Sequence, residues 1–300
     1  MTVLVTGASG NAGSAVVASL AAAGLPGRAL VRKAVQLPDG IEPVYGDLNQ
    51  PDSFADSLSG VSGIFLLSGY DRVEELLAKA VEAGVRRVAL LSSSSVVGKS
   101  TDNAVAAYHL AAEQAVRASG LEWTFLRPNS FMSNTLRWLD QLRAGDEVRV
   151  QFPDVPISTI HPRDIGDVAV RALTDDGHAS TAYRLTGPVA LRPAEQVEIL
   201  GRALGRNLTA RELSREESHA ELFASMPEQY ASAIEGFFAD GNVDETTVTD
   251  TVETVTGHAP RTLEEWTQEN AALFRCADQR RPSAATYSVP VQVSPKRGKM

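Results

Sequence analysis

Three glycines at three-residue spacing, Gly7, Gly10 and Gly13, stand in Val3-Leu4-Val5-Thr6-Gly7-Ala8-Ser9-Gly10-Asn11-Ala12-Gly13, ahead of an alanine-rich stretch. The chemistry this pattern suits is the holding of a pyrophosphate. The first glycine permits a sharp turn out of a strand, the second lets backbone approach the phosphates, and the third lets a helix pack closely on the strand. Free N–H groups from Ser9 through Asn11 and Ala12 then face the anion, and the helix dipole favours it. A glycine triplet alone is a weak signal. Its place after a first strand and before a helix is the context that gives it weight.

A dinucleotide held there has a second contact about twenty residues on, where an acid marks a ribose 2′-hydroxyl. This chain has Arg32 and Lys33 at that point and no acid before Asp39. A 2′-phosphate adds roughly two negative charges, and a guanidinium grips it through a planar fork of donors. The pair therefore favours NADP(H) over NAD(H), against the plainer reading of two solvated surface cations.

Acid–base chemistry is harder to place. A Tyr-x-x-x-Lys pair on one helix face would let lysine lower the tyrosine pKa for proton transfer. Four residues beyond Tyr45, Tyr70, Tyr108, Tyr183, Tyr230 and Tyr287 stand Asn49, Glu74, Ala112, Gly187, Ile234 and Val291, so the pair is absent. Tyr108 lies on a suitable helix but faces Ala112 where lysine would be. Ser93 and Ser94 either donate to a substrate carbonyl or simply close a polar strand end.

The elements that must position these groups follow from periodicity. Strands are predicted at Val3–Thr6, Arg28–Val31, Glu42–Tyr45, Ile64–Leu67, Arg87–Ser92 and Trp123–Leu126, with helices over Asn11–Ala23, Pro51–Leu58, Arg72–Ala83 and Val105–Ala118. Alternation of this kind gives an α/β Rossmann-type, doubly wound parallel sheet. Later helices are expected over Met132–Arg143, Asp164–Leu173, Pro193–Leu204, Glu216–Met226 and Glu228–Phe238, and a last one from the Thr262–Glu265 capping box to Phe274. A short strand is expected at Ile157–Ile160. Residues 1–128 thus read as a dinucleotide-binding core. Residues 129–274 read as a smaller, mostly helical lobe interleaved with it, and 275–300 as a disordered basic tail.

Together, the glycine turn, Gly46-Asp47-Leu48, the run Arg117-x-Ser119-Gly120-Leu121-x-Trp123-Thr124-x-Leu126-Arg127-Pro128 and Thr256-Gly257-x-x-Pro260-Arg261-Thr262 resemble the NmrA-like branch of the atypical short-chain dehydrogenases. The likeness covers residues 2–274. It implies that Asp47 and Leu48 approach an adenine, that Leu67 and Ser68 flank the adenosine and pyrophosphate, and that Ser92–Ser94, Pro128, Asn129 and Phe131 lie near the nicotinamide. The Ser92–Ser95 and Pro128–Phe131 segments both leave predicted strand ends, where open parallel sheets bind ligands. His109-Leu110-Ala111-Ala112-Glu113 is similar to the His-x-x-x-Glu of the NADPH:quinone reductases in this branch. At that spacing the carboxylate can orient the ring and raise its pKa; the plainer reading is a surface i,i+4 pair. His161 reads either as bordering the cleft or as a packed, capping histidine, with Asp164 as the helix-start residue.

Bulk properties bound the rest. The 300 residues are 43% hydrophobic and 22% charged, ordinary values for a globular chain. Single Cys276 excludes an internal disulfide framework, no metal ligands cluster, and no targeting signal is visible, so a cytoplasmic setting is expected. The net charge of −9 divides into +5 on residues 275–300 and −14 on the remainder. An acidic body argues against nucleic acid as a partner, and no apolar run spans a bilayer. A hydride donor reduces a quinone without a strong protein acid, because water can protonate the hydroquinone anion. The expected function is therefore NADPH-dependent reduction of a small quinone-like or activated carbonyl acceptor, against an apolar wall of Phe131, Met132, Leu136 and Trp138. The alternative is a catalytically silent NADP(H)-sensing regulator of the NmrA type.

Overall fold

The computed structural model describes residues 1–275; the predicted tail, from residue 276 on, lies outside the described residues. Its first strand, β1 (Thr2–Val5), is apolar on both faces and leads through the glycine turn into α1 (Asn11–Ala22). Next come β2 (Gly27–Val31), β3 (Ile41–Tyr45), β4 (Val61–Leu67), α2 (Val73–Glu82), β5 (Arg87–Leu91), α3 (Ala104–Ala118) and β6 (Glu122–Pro128). The predicted helix over Pro51–Leu58 is a 3-10 helix. Beyond β6 follow α4 (Leu139–Ala144), β7 (Glu147–Val150), α5 (Pro162–Thr174), β8 (Thr181–Leu185), α6 (Pro193–Leu204) and β9 (Thr209–Glu212). The described chain ends with α7 (Arg215–Ser225), α8 (Glu228–Phe238), α9 (Thr251–Thr256), α10 (Leu263–Glu269) and α11 (Ala271–Arg275).

Seven parallel strands form one sheet in the order β3-β2-β1-β4-β5-β6-β8. The direction of winding reverses between β1 and β4, and the crevice above their carboxyl ends is the natural ligand position of such a sheet. Strand alternation divides the core. Val3, Val5, Phe65, Ala89 and Leu126 face α1 and α5, while Leu4, Ile64, Leu66, Leu90 and Phe125 face α2 and α3. Burying one such Leu or Phe contributes about 1.5–3 kcal/mol, so the two faces commit the strands to their register. Helix α1 sits against α5 through Gly166, where a Cβ would come within 2.7 Å of the Ala15 backbone.

After residue 128 the chain returns to the sheet, because β8 pairs with β6 from Thr124↔Thr181 to Pro128↔Leu185. A third core gathers Met132, Leu136, Trp138, Val148, Val150, Leu200 and Trp266 away from the sheet, beside the two-stranded pair β7–β9. Two predicted elements differ. Met132–Arg143 is a 3-10 turn over Met132–Trp138 followed by α4. Ile157–Ile160 makes only isolated bridges, Ile157 to Leu191 and Ile160 to Phe131, because its backbone is shared among several loops rather than one neighbouring strand. No helix among the described residues is long and apolar enough to cross a membrane.

Candidate active site

At the end of β1 the glycine turn has the geometry its sequence anticipates. Gly7 has φ +60, and a Cβ there would lie 2.2 Å from Leu67 Cδ1; a Cβ on Gly13 would lie 2.1 Å from the Gly7 carbonyl oxygen. Neither position has room for a side chain. Gly10 is different. It is exposed, its φ is −93, and a Cβ there would meet only the Gly7 oxygen, at 3.3 Å. The space above Gly10 is therefore open, a cradle that only a side chain or a ligand would fill.

That cradle lies at an uncapped helix start. No side chain caps α1, its first turn carries no acid, and the amides of Asn11, Ala12 and Gly13 have no partner among the described residues. Free donors and an unopposed dipole are the chemistry of a pyrophosphate site, so these residues fit a dinucleotide. Ser9 is exposed at the rim. The Asn11 side chain turns sideways, donating from Nδ2 to Ser133 Oγ at 3.0 Å and tying the turn to the segment after β6.

Around the crevice the other anticipated residues divide by accessibility. Arg32 and Lys33, after β2, are exposed with no ion pair among the described residues. Asp47 follows β3 and caps its own loop, accepting from the Asn49 amide at 2.9 Å, while Leu48 is buried in the core rather than open to a ligand. Tyr70, which has Glu74 where a catalytic pair needs lysine, lies near both Arg32 and Asp47. Burial pushes its phenol above the ordinary value, Arg32 opposes that, and Asp47 adds to it. Leu67 covers Gly7, and the Ser68 hydroxyl donates to the Leu91 carbonyl at 2.7 Å.

The serines after β5 are committed unequally. Ser92 donates to Glu113 Oε1 at 2.7 Å and Ser94 to Glu245 Oε1 at 3.2 Å, and both are buried. Ser93 is half-buried; its oxygen accepts the Ser95 amide at 3.1 Å, which leaves its O–H as a donor. At the end of β6, Pro128 and the following Asn129 are buried, and Asn129 Nδ2 donates to Ser158 Oγ at 2.9 Å. Phe131 is half-buried at the start of the 3-10 turn. Of the anticipated apolar wall, Met132, Leu136 and Trp138 are spent on the third core, and Phe131 packs, half-buried, against the first.

The structure corrects the reading of His109 and Glu113. Glu113 is fully buried and faces inward, accepting from Arg127 Nε at 2.9 Å, Arg127 Nη2 at 2.7 Å and Arg117 Nη2 at 3.1 Å. Burial raises its pKa, but Arg127 and Ser92 together outweigh that and hold it below the ordinary value. It makes no hydrogen bond to His109. The His109 Nδ1 is buried without a partner, and burial draws the ring down to about 3 despite Glu113. The imidazole is thus neutral at physiological pH, opposite to the anticipated shift, and the pair is not a surface pair either. The Tyr108 ring lies tilted against His109 with centroids 4.2 Å apart, and burial, with Tyr230 nearby, pushes its phenol far above the ordinary range. His161 is a capping histidine: its Nδ1 accepts the Arg163 amide at 3.0 Å, so α5 starts at Pro162 and Asp164 is not its cap. Asp164 instead binds Arg261, together with Asp167, and that guanidinium fills the one grouping of metal-type ligands found among the described residues.

One acid was invisible in the sequence. Glu245, in the loop between α8 and α9, is buried over the ends of β5 and β6, where Ser94 and the Ser130 amide (2.8 Å) bind its two oxygens. Burial pushes its carboxyl above the ordinary value, against the hydrogen bonds from Ser130 and Ser94 and the charge of Arg184. Nothing local marks it, since its partners come from 115 and 151 residues away.

An open parallel sheet with a glycine cradle at its crossover defines a Rossmann-type protein. The NmrA-like family model matches residues 1–270, and the chain belongs to that family. It is 36% identical to the (4-alkanoyl-5-oxo-2,5-dihydrofuran-3-yl)methyl phosphate reductase of Streptomyces griseus, covering 91% of this chain and 99% of that one. It is 35% identical to the NAD(P)H azoreductase of Xenophilus azovorans, over 92% of this chain and all of the other. Among solved structures, an NADPH-dependent quinone oxidoreductase of Escherichia coli complexed with NADPH superposes with a TM-score of 0.72 at 23% identity, covering 90% of this chain and all of that one. That last likeness shows a shared fold.

Proposed function

We propose that this protein is an NADPH-dependent reductase that passes a hydride to a small conjugated acceptor of the quinone or activated carbonyl class. The observation that carries this reading is the open cradle above Gly10, lined by the unpartnered amides of Asn11, Ala12 and Gly13. It is supported by two relatives named as reductases, each matching over nine tenths of the chain. Arg32 and Lys33 would hold a 2′-phosphate, with Asp47 and Tyr70 at the adenosine side.

When bound, reduced nicotinamide supplies the hydride. The protein's own residues then orient and stabilise. Ser93 has a hydroxyl hydrogen to donate to the acceptor oxygen, which takes up charge as the hydride arrives. Tyr108 and His109 stay neutral and give the crevice a weakly polar wall. Glu245 fixes Ser94 and the Ser130 amide, and so the two strand ends on either side of the reacting groups. The proton that completes the reduction comes from solvent, which suffices for a quinone because its hydroquinone anion is a modest base.

The test is NADPH oxidation by purified protein with a panel of quinones, azo compounds and conjugated carbonyls. Turnover with any of them supports the reductase. Tight binding that distinguishes NADPH from NADP⁺, with no turnover across the panel, would favour the regulatory alternative.

A further inference from the structure

Beyond Pro128 the chain leaves the carboxyl end of β6, where an open parallel sheet meets its ligand, and its backbone is held there almost residue by residue. The Asn129 amide donates to the Leu185 carbonyl at 2.9 Å and the Ser130 amide to Glu245 Oε2 at 2.8 Å. Ile160 brackets the next residues, its amide donating to the Ser130 carbonyl and its carbonyl accepting from the Met132 amide, both at 2.9 Å. All three partners lie beyond residue 128. One contact is different. Ser133 Oγ accepts from Asn11 Nδ2 at 3.0 Å, across 122 residues of sequence. Among the described residues it is the only hydrogen bond from the turn Gly7–Gly13 to this segment.

The two ends of this bond are held unequally. Ser133 is 4% exposed, inside the 3-10 turn Met132–Trp138, and the Asn134 amide closes the entry to that turn on the Phe131 carbonyl at 2.9 Å. Asn11 is exposed at the first position of α1, and its side chain has no other hydrogen bond among the described residues. In the free protein the bond has to order an uncapped helix start, and that entropy offsets much of its worth. Phosphate oxygens on the amides of Asn11, Ala12 and Gly13 fix the same backbone first, so the Asn11–Ser133 bond then closes at lower cost. Ordering one end of a bond in this way couples its two ends without a change of shape, and the coupling is reciprocal.

We propose that Ser133 is a positioning residue: through Asn11 it carries occupancy of the dinucleotide turn to the Phe131–Trp138 segment, so that the acceptor side of the crevice becomes ordered once the cofactor is in place. This rests on the dinucleotide part of the function proposed above and does not require turnover.

Hydrogen exchange read by mass spectrometry, with and without 2′-phospho-ADP-ribose, tests it. This probe carries the 2′-phosphate, the adenosine and the pyrophosphate but lacks the nicotinamide ring that would reach the end of β6 directly. In wild type it should slow exchange in residues 7–14. It should also slow exchange in residues 131–138 by about 2- to 10-fold, the worth of one net hydrogen bond. Ser133→Ala should keep the first effect and lose the second. Asn11→Ala cuts the same bond from its other end and should lose the second effect too, which keeps the test open if Ser133→Ala fails to fold. A bond with only a structural role would speed exchange in 131–138 on its removal and leave the probe's effect there unchanged. Protection of 7–14 alone in wild type, or protection of 131–138 that survives in the variants, overturns the proposal and leaves the dinucleotide reading intact. Protection of neither segment removes the dinucleotide reading and the proposal together. Coupled protection in a protein that reduces no acceptor supports the proposal, and only the reductase reading then fails.

Discussion

Glu113→Gln separates the two roles that a His-x-x-x-Glu spacing suggests. The carboxylate is fully buried and accepts four hydrogen bonds, two from Arg127, one from Arg117 and one from Ser92. A glutamine keeps the size but loses the charge, and its amide N–H₂ meets a guanidinium. Breaking a buried ion pair costs about 3–5 kcal/mol. The Arg127 side chain is 17% exposed and that of Arg117 43%. Water can therefore reach the abandoned cations, and the lower end, about 3 kcal/mol, is expected. At about 2–4 °C per kcal/mol, Tm should fall by roughly 6–12 °C. Thermal melts give that figure, and NADPH turnover measured well below the melt should stay within about twofold of wild type per folded molecule. A Tm within about 1 °C of wild type, with turnover lost, would refute the structural role and restore Glu113 as the partner of a reacting histidine.

Arg32→Ala should weaken NADPH by about 10-fold or more, the worth of one charge-assisted contact, with NADH affected far less; equal losses measured by cofactor titration would argue against the 2′-phosphate role. Acid stability gives another check. The folded protein resists protonation of His109 and His161, whose pKa values are drawn down to about 3 and about 4, so the unfolded chain binds more protons below pH 6.5. Stability contributed by neutral His109 is thus full above about pH 6.5 and is lost as pH falls toward 3, by up to about 1.4 kcal/mol per pH unit. Chemical denaturation of His109→Gln at a series of pH values should show a slope shallower by about that amount, and an unchanged slope would contradict the buried neutral ring.

The first half of the fold was legible because its central strands are buried on both faces. Runs such as Val88–Leu91 or Ile64–Leu67 have no competing reading beside glycine-marked helices. β8 was missed because Thr181–Leu185 lies at the sheet edge with only Leu185 buried, leaving no apolar run to notice. β7 and β9 are four residues each and satisfy each other. Ile157–Ile160 misled for the opposite reason: it is apolar because it is core, yet its amides bond to Leu191, Glu245 and Ser130 in three different loops.

The site divides in the same way. The glycine turn is local, so spacing alone conveys its shape. Glu113 looks like a surface partner of His109 until Arg127 arrives from the neighbouring strand, and Glu245 acquires meaning only when a distant loop folds over Ser94. The apolar period of Met132, Leu136 and Trp138 says that something buries them, and the packing of Val148, Val150 and Trp266 decides that it is the lobe's own core.

The most direct test of the central claim is Gly10→Val, followed by NADPH titration and thermal melting on the same sample. The backbone at Gly10 is one that valine adopts, and the one atom within 4 Å of the added Cβ, the Gly7 carbonyl oxygen at 3.3 Å, need give by only a few tenths of an ångström. Tm should therefore stay near wild type while NADPH affinity falls by at least about 100-fold, or ~2.7 kcal/mol. A variant that folds normally and still binds NADPH as wild type does would show that the dinucleotide does not lie over this turn.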